Sequence, residues 1–293
     1  MKQRLQNILY WWAGLLILIL NKPRHQLQGY TRPRKFPVTK FDLVVEYDLK
    51  VIGNWMKYGK KYQGNNFSWK NCSILELGPG ADFGVGITLL ATGAKSYHAL
   101  DVNPLALSTP NKLYEILEHQ LILNGFVSKQ KLNIQTLKNK IDYVCDKKFN
   151  ITHFNNQGIN LVLSNAAFEH FSDIPRTIEQ LSIIMESGGI LIAEVDLQTH
   201  SRWIRETDPL NIYRYPEWLY KLLSFSGSPN RIRPETYKNL LEKNGWENIV
   251  IYPKIILPEN AVETVRPSMS KRFKKEKDSL GWLSIVICAT KKK

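Results

Sequence analysis

Apolar positions along this chain fall into short continuous runs that alternate with longer stretches of helical spacing. The run Ser73-Ile74-Leu75-Glu76-Leu77 is followed by glycines at 78, 80 and 84. That is the pattern of a buried parallel strand ending in a tight turn that opens into a helix. Ser96–Leu100 reads as a second strand and Lys140–Asp146 as a third. Ile159–Leu163 is continuous and branched, as a doubly buried fourth strand should be. Ser187–Glu194 reads as a fifth, and Ile249–Tyr252 and Trp282–Ala289 complete the set. Helical periodicity covers Phe41–Tyr62, Pro104–Leu123, Ile174–Met185 and Pro234–Asn244. Strands alternating with helices in this way predict an α/β doubly wound sheet.

One run stands apart. Ile8–Leu20 is uninterruptedly apolar, preceded by Lys2 and Arg4 and followed by Lys22, Arg24, Arg32, Arg34 and Lys35. Its helix would reach only ~20 Å, short of a hydrocarbon core of ~30 Å. No small-residue cleavage site follows, which argues against a removed signal peptide. Trp11 and Trp12 between flanking cations suit an interfacial helix at the inner membrane face, peripheral or monotopic. A helix packed on the rest of the protein or on a partner chain is the alternative, and the run itself leaves both open. Gly29–Val38, basic and holding Pro33 and Pro37, reads as a linker. The chain therefore divides into an appendage over 1–40 and a domain over 41–293.

The glycine turn carries the first chemical expectation. Without side chains at 78 and 80 the backbone can approach a nucleoside, and Asp101 follows ~20 residues later, where the next parallel strand delivers a carboxylate to ribose hydroxyls. Val102 and Asn103 continue from it. Glu76 at the strand end, with Pro79 and Asp82 in the loop, departs from a dinucleotide fingerprint: a carboxylate there repels a pyrophosphate but suits a ligand carrying an ammonium and a sulfonium. Ser164-Asn165 lies beyond the fourth strand, where such sheets bind ligands, and Asn165 offers hydrogen bonds without charge. Glu169 and His170 come one turn later; His170 is a candidate general base, cofactor contact or structural histidine. The fifth strand brings Glu194, Val195 and Asp196 to the same rim. Asp196 and His200 are four apart, so a short helical turn would place both on one face, and this pair is expected to serve the acceptor.

These residues resemble the class I S-adenosylmethionine-dependent methyltransferases. The resemblance rests on Glu76-x-Gly78-x-Gly80, on Asp101, on Asn160 through His170, and on Ser187 through Glu194, and it runs from about position 71 to the C-terminus. Asn160 departs from it, since the family usually has Asp there. The resemblance implies a Rossmann-like seven-stranded sheet whose last strand is antiparallel, inserted between the fifth and sixth. It implies a helix ahead of the first strand that helps close the cofactor site, and a cap over the acceptor from the insertion at 198–234. S-adenosyl-L-methionine is the implied cofactor, bound by Glu76, Gly78, Gly80, Asp101, Val102, Asn103 and Asn165, with Asp146 meeting the adenine amino group. In the family the Glu-His pair more often organises the site floor than deprotonates the substrate. His170, Asp196 and His200 are the catalytic candidates, and no metal is expected.

Composition then bears on partners. In 293 residues the net charge is +14 and the pI near 9.5, which favours acidic partners: an anionic membrane surface, phosphorylated or acidic substrates, or nucleic acid. No RNA-binding motif accompanies the charge. Cys72, Cys145 and Cys288 are scattered, with no disulfide framework or zinc spacing, as in a reducing, cytoplasmic compartment. Between 198 and 234 three tyrosines and two tryptophans lie among arginines, a composition that suits a sugar, a phosphate-bearing lipid or an aromatic acceptor, and equally a plain helical cover. The expectation is methyl transfer to a small-molecule, glycan or lipid-linked acceptor, with O-methylation leading. A non-catalytic nucleotide-binding module and an RNA or protein methyltransferase are the alternatives.

Overall fold

The computed structural model describes residues 2–28, 37, 39–128, 130, 132–276 and 278–293. The linker expected over Gly29–Val38 lies almost wholly outside them, as does Lys277 of the basic run near the C-terminus.

Seven strands form one sheet in the order β3-β2-β1-β4-β5-β7-β6. They are β1 (Ser73–Leu77), β2 (Ser96–Asp101), β3 (Ile141–Cys145), β4 (Ile159–Asn165), β5 (Met185–Asp196), β6 (Trp246–Ile256) and β7 (Trp282–Lys291). The first five pair in parallel, and β7 runs antiparallel between β5 and β6. Every residue of β1 is buried, because helices cover both sheet faces. Three buried clusters follow from that layering. Ile178, Leu181, Tyr237 and Trp246 pack on one face, Trp55, Val85 and Leu89 on the other, and Val44, Ile87 and Leu117 join the helices beside β1 and β2.

The helices are α1 (Lys2–Gln28), α2 (Phe41–Gln63), α3 (Gly84–Ala91), α4 (Asn111–Leu123), α5 (Ile134–Lys138), α6 (Ile174–Ile184), α7 (Glu217–Leu223), α8 (Pro234–Lys243), α9 (Glu259–Val265) and α10 (Lys271–Lys274). The single helix expected over Pro104–Leu123 is split: a 3-10 turn covers Leu105–Ser108, and α4 begins only after Pro110, which is extended. The fifth strand begins two residues earlier than the expected Ser187, and Gly188 and Gly189 lie in a bulge within it. Met185 pairs with Ile159 and Ile190 with Leu161, so residues 186–189 loop out opposite Asn160. Asn160 itself is structural, its Oδ1 accepting from the Ser73 backbone N–H at 3.0 Å and tying β4 to the start of β1.

The helix expected over the apolar N-terminal run is longer than that run, 27 residues. No helix among the described residues is long and apolar enough to cross a membrane. One face of α1 packs on the chain between β5 and α8. Trp11, Leu15 and Leu18 lie against Leu210, Tyr213, Tyr215 and Tyr220. The contact is specific as well as apolar: Asn211 Nδ2 donates to Tyr10 O and Tyr215 Oη to Trp11 O, each at 2.9 Å. The opposite face exposes Leu5, Ile8, Leu9, Trp12, Leu16 and Leu20.

Candidate active site

The turn after β1 supplies the first half of the site. Gly78 and Gly80 have φ of +76° and +83°, conformations that disfavour a side chain. A Cβ at Gly78 would lie 2.6 Å from Ala167 Cβ, so the glycine also lets the β1 and β4 turns close on each other. Asp101, at the end of β2, reaches across. Its Oδ2 accepts from Gly80 N at 3.1 Å and its Oδ1 from Asn103 N at 3.0 Å. Burial raises the Asp101 carboxyl above its ordinary value, against these backbone donors.

Beneath the turn the chain has concentrated negative charge. Glu76 and Asp82 are buried, together with Asp48 from α2. Tyr97 Oη donates to Glu76 Oε2 at 2.5 Å. Burial, followed by Glu76, Asp82 and Asp48, pushes that phenol well above its usual range. Asp82 Oδ1 accepts from Gly84 N at 2.8 Å, at the start of α3. Asn165, the last residue of β4, donates to Tyr47 Oη at 2.8 Å, which ties α2 to the end of that strand. Asp146 follows β3 beside Asp101, whose carbonyl accepts from Asp146 N at 2.9 Å. The Asp146 carboxylate closes its own loop, accepting from the backbones of Lys148 and Asn150 and from His153. Val102 is exposed, and the Asn103 carbonyl accepts from Tyr143 Oη at 2.9 Å.

The second half lies past β4 and β5. Glu169 and His170 sit in a 3-10 turn over Phe168–His170. The helical turn expected to pair Asp196 with His200 does not form: residues 197–200 are not helical. Asp196 instead accepts from Arg205 Nη2 at 2.7 Å and from the Gln198 backbone at 3.0 Å. The carboxylate facing His200 is Glu169, with Oε1 3.8 Å from His200 Nε2. His170 and His200 stand edge to face with ring centroids 4.8 Å apart. Burial holds the His170 imidazole below its ordinary pKa, opposed by Glu169. Burial also depresses His200, but Glu169 and Asp196 outweigh it and its pKa is raised. The two imidazole pKa values are thus driven apart, His170 downward and His200 upward.

Glu169 is 2% exposed, and among the described residues neither of its oxygens accepts a hydrogen bond. Sequence reasoning placed Glu169 in a floor-organising pair and missed it as the hub. Its contact with His200 joins two loops on different strands, which no local spacing reveals. The arginines and tyrosines between 198 and 234 are largely spent internally. Arg214 pairs with Asp208 at 2.7 Å, Arg233 with Glu276 at 2.9 Å, and Arg231 with Glu217, while Tyr213, Tyr215 and Tyr220 are buried. Trp203 and Trp218 remain at the surface.

The sheet order, the side-chain-free turn and the carboxylate at the end of β2 define the class I methyltransferase architecture. A family model described as a methyltransferase domain matches residues 47–250, and the chain belongs to that family: it is an S-adenosylmethionine-dependent methyltransferase. The fold is similar to that of the CurJ carbon methyltransferase, at a TM-score of 0.50 and 15% identity, covering 96% of this chain and 67% of that one. An S-adenosylmethionine-dependent methyltransferase from Mesorhizobium loti gives 0.45 and 12%, covering 79% and 96%. Phosphoethanolamine N-methyltransferase 2 of Haemonchus contortus, solved with S-adenosyl-L-methionine, gives 0.44 and 12%, covering 85% and 53%. At such identities the likeness is one of fold. No curated protein sequence matches significantly.

The residues present fit the cofactor. The turn at 78–80 has no side chain to fill the approach, Asp101 is oriented toward it by two backbone donors, and the buried acids favour a ligand with a sulfonium and an ammonium.

Proposed function

We propose that the protein methylates a hydroxyl of a small-molecule, glycan or lipid-linked acceptor, and that Glu169, His170 and His200 hold that hydroxyl. The single observation behind this reading is the Glu169 carboxylate, buried and accepting no hydrogen bond among the described residues. A buried carboxylate left so is costly, and a hydroxyl donor would satisfy it. The bound cofactor supplies an electrophilic methyl group. Asp101 orients the ribose, Gly78 and Gly80 admit the backbone approach, and Glu76 acts on the ammonium through the loop. Val102, Asn103 and Asn165 line the adenosyl side, with Asp146 near the adenine. The acceptor-side cluster fixes the nucleophile in line and eases the loss of its proton, which is where such a displacement gains most. Asp196, held by Arg205, acts through the field it places on His200 rather than by contact. The segment at 198–234 closes over this side, and residues 41–293 act as one catalytic domain with α1 as an appendage.

The test is a labelled-methyl assay on fractionated lipid, glycan, small-molecule and RNA pools. Label in a base-stable O-methyl product supports the reading; label confined to RNA or protein, or to none, overturns it. Glu169→Gln should lower kcat at least tenfold while S-adenosylhomocysteine still binds, since Glu169 lies on the acceptor side.

A second part of the reading concerns α1. Leu5, Leu9, Trp12 and Leu16 recur at spacings of three and four and remain exposed, so the outer face is a continuous apolar stripe. Trp218 and Leu222 of α7 are also exposed, and Lys22 Nζ donates to Leu222 O at 2.6 Å, placing a cation of α1 beside α7. Such a face suits an anionic lipid surface with the helix lying in its plane. A lipid-linked substrate would be presented at that same surface.

A further inference from the structure

Both imidazoles on the acceptor side are held in the same way. His170 Nδ1–H donates to Gly227 O at 2.6 Å, and His200 Nδ1–H donates to Gln198 O at 2.9 Å. A carbonyl only accepts, so each Nδ1 carries a proton and Nε2 is the ring atom that can meet a ligand; on His200, whose Nε2 faces Glu169, an ion would displace any proton held there. Anchoring of one ring nitrogen by a backbone carbonyl is the arrangement that orients metal-binding histidines and fixes their tautomer. Glu169 is the third group, buried and with neither oxygen hydrogen-bonded among the described residues.

These three side chains each offer one ligand atom, and the atoms all lie within 4.8 Å of one another. Around an ion bound at ~2.1 Å in tetrahedral geometry, ligand atoms stand roughly 3.4 Å apart. At its widest separation the cluster is thus open by about 1.4 Å relative to that geometry, and binding would draw the three groups together. Its donor set, two imidazole nitrogens and one carboxylate oxygen, matches first-row transition ions rather than calcium or magnesium, which take oxygen. Three protein ligands leave a coordination position open.

We propose that Glu169, His170 and His200 form a binding site for one divalent first-row transition ion, of the zinc, iron or manganese kind. Its consequence rests on the acceptor reading above: the ion lowers the pKa of the acceptor hydroxyl, whose proton passes to solvent water. The oxygen lone pair then forms the bond to the methyl carbon as the carbon–sulfur bond breaks, its electron pair remaining on sulfur.

The experiment uses the full chain, stripped with chelator and titrated with Zn(II) by calorimetry and with Co(II) by visible absorption. One ion per chain is expected, with Co(II) bands of a four- or five-coordinate site. Glu169→Gln and His200→Gln should each weaken binding at least tenfold while S-adenosylhomocysteine affinity, measured in parallel, reports that the fold is intact. No stoichiometric binding by the parent protein, or equal binding in both variants, overturns the proposal. The labelled-methyl assay separates it from the function. Transfer unaffected by chelator removes the metal and keeps the O-methylation, whereas variant-sensitive binding without any transfer keeps the metal and removes the acceptor reading.

Discussion

Asp101 is the residue on which cofactor binding should depend most directly. If its carboxylate accepts from two ribose hydroxyls, Asp101→Ala forfeits charge-assisted hydrogen bonds worth about 1.5–3 kcal/mol, or roughly ten- to a hundredfold in Kd, read by calorimetry with S-adenosylhomocysteine. Its pKa is raised by burial, so the protonated form, a poorer acceptor, appears at a higher pH than in an ordinary aspartate. Affinity should therefore fall as pH falls through that raised value, and Asp101→Asn should flatten the dependence. Gly78→Ala is a separate test. Its Cβ would stand 2.6 Å from Ala167 Cβ at a φ of +76°, and the combined clash and strain should cost about 1–3 kcal/mol of stability with loss of cofactor affinity. The turn at Gly78 and the strand end at Asp101 were legible in the sequence because both are local features. Glu169 as partner of His200 was not, since that contact depends on how two strand-end loops fold over each other, and the four-residue spacing of Asp196 and His200 suggested a helical turn that the chain does not make.

At the scale of elements, the strands were readable because parallel strands covered on both faces are predominantly apolar, and the buried middles of β1, β2 and β4 largely are. The break at Pro110 and the bulge at 186–189 were less visible: Pro110 falls within a stretch of helical spacing, and the polar and glycine residues at 186–189 sit at the edge of an apolar run. Helix α1 posed the hardest reading. Its run is apolar around most of its circumference, and periodicity alone does not say which face the protein covers. The answer lies in Gly14, where a Cβ would be 1.9 Å from Asn211 Oδ1 and 2.3 Å from Tyr215 Oη. That close approach permits the hydrogen bonds from Asn211 and Tyr215 to the α1 backbone. Gly14→Leu should force the helix off this seat, at about 1–3 kcal/mol, lowering Tm by several degrees in a thermal melt while leaving Asp101 and the glycine turn able to bind cofactor.

The whole molecule carries a net charge of +14, and its apolar and cationic features meet at α1. Large soluble chains seldom leave a stripe such as Leu5, Leu9, Trp12 and Leu16 open to water, so the stripe implies something that covers it. Under the lipid-surface reading proposed above, acyl chains would take the leucines, the interface Trp12, and lipid phosphate Arg4, Lys22 and Arg24, each cation near the surface adding about 1 kcal/mol. Removing residues 2–28 would test this badly, because the same helix covers Tyr213 and Tyr215. Leu9→Lys with Trp12→Lys changes the outer face only. The double variant should keep its Tm and its cofactor affinity yet lose most of its co-sedimentation with vesicles of anionic phospholipid. The parent protein should bind those vesicles, release partly as salt rises and the Debye length shortens, and ignore vesicles of purely zwitterionic lipid. Binding that is the same for both vesicle types, or the same for parent and variant, would mean that charge and stripe do not act together. A salt-insensitive dimer of the parent, lost in the variant, would instead assign the stripe to a second copy of the chain.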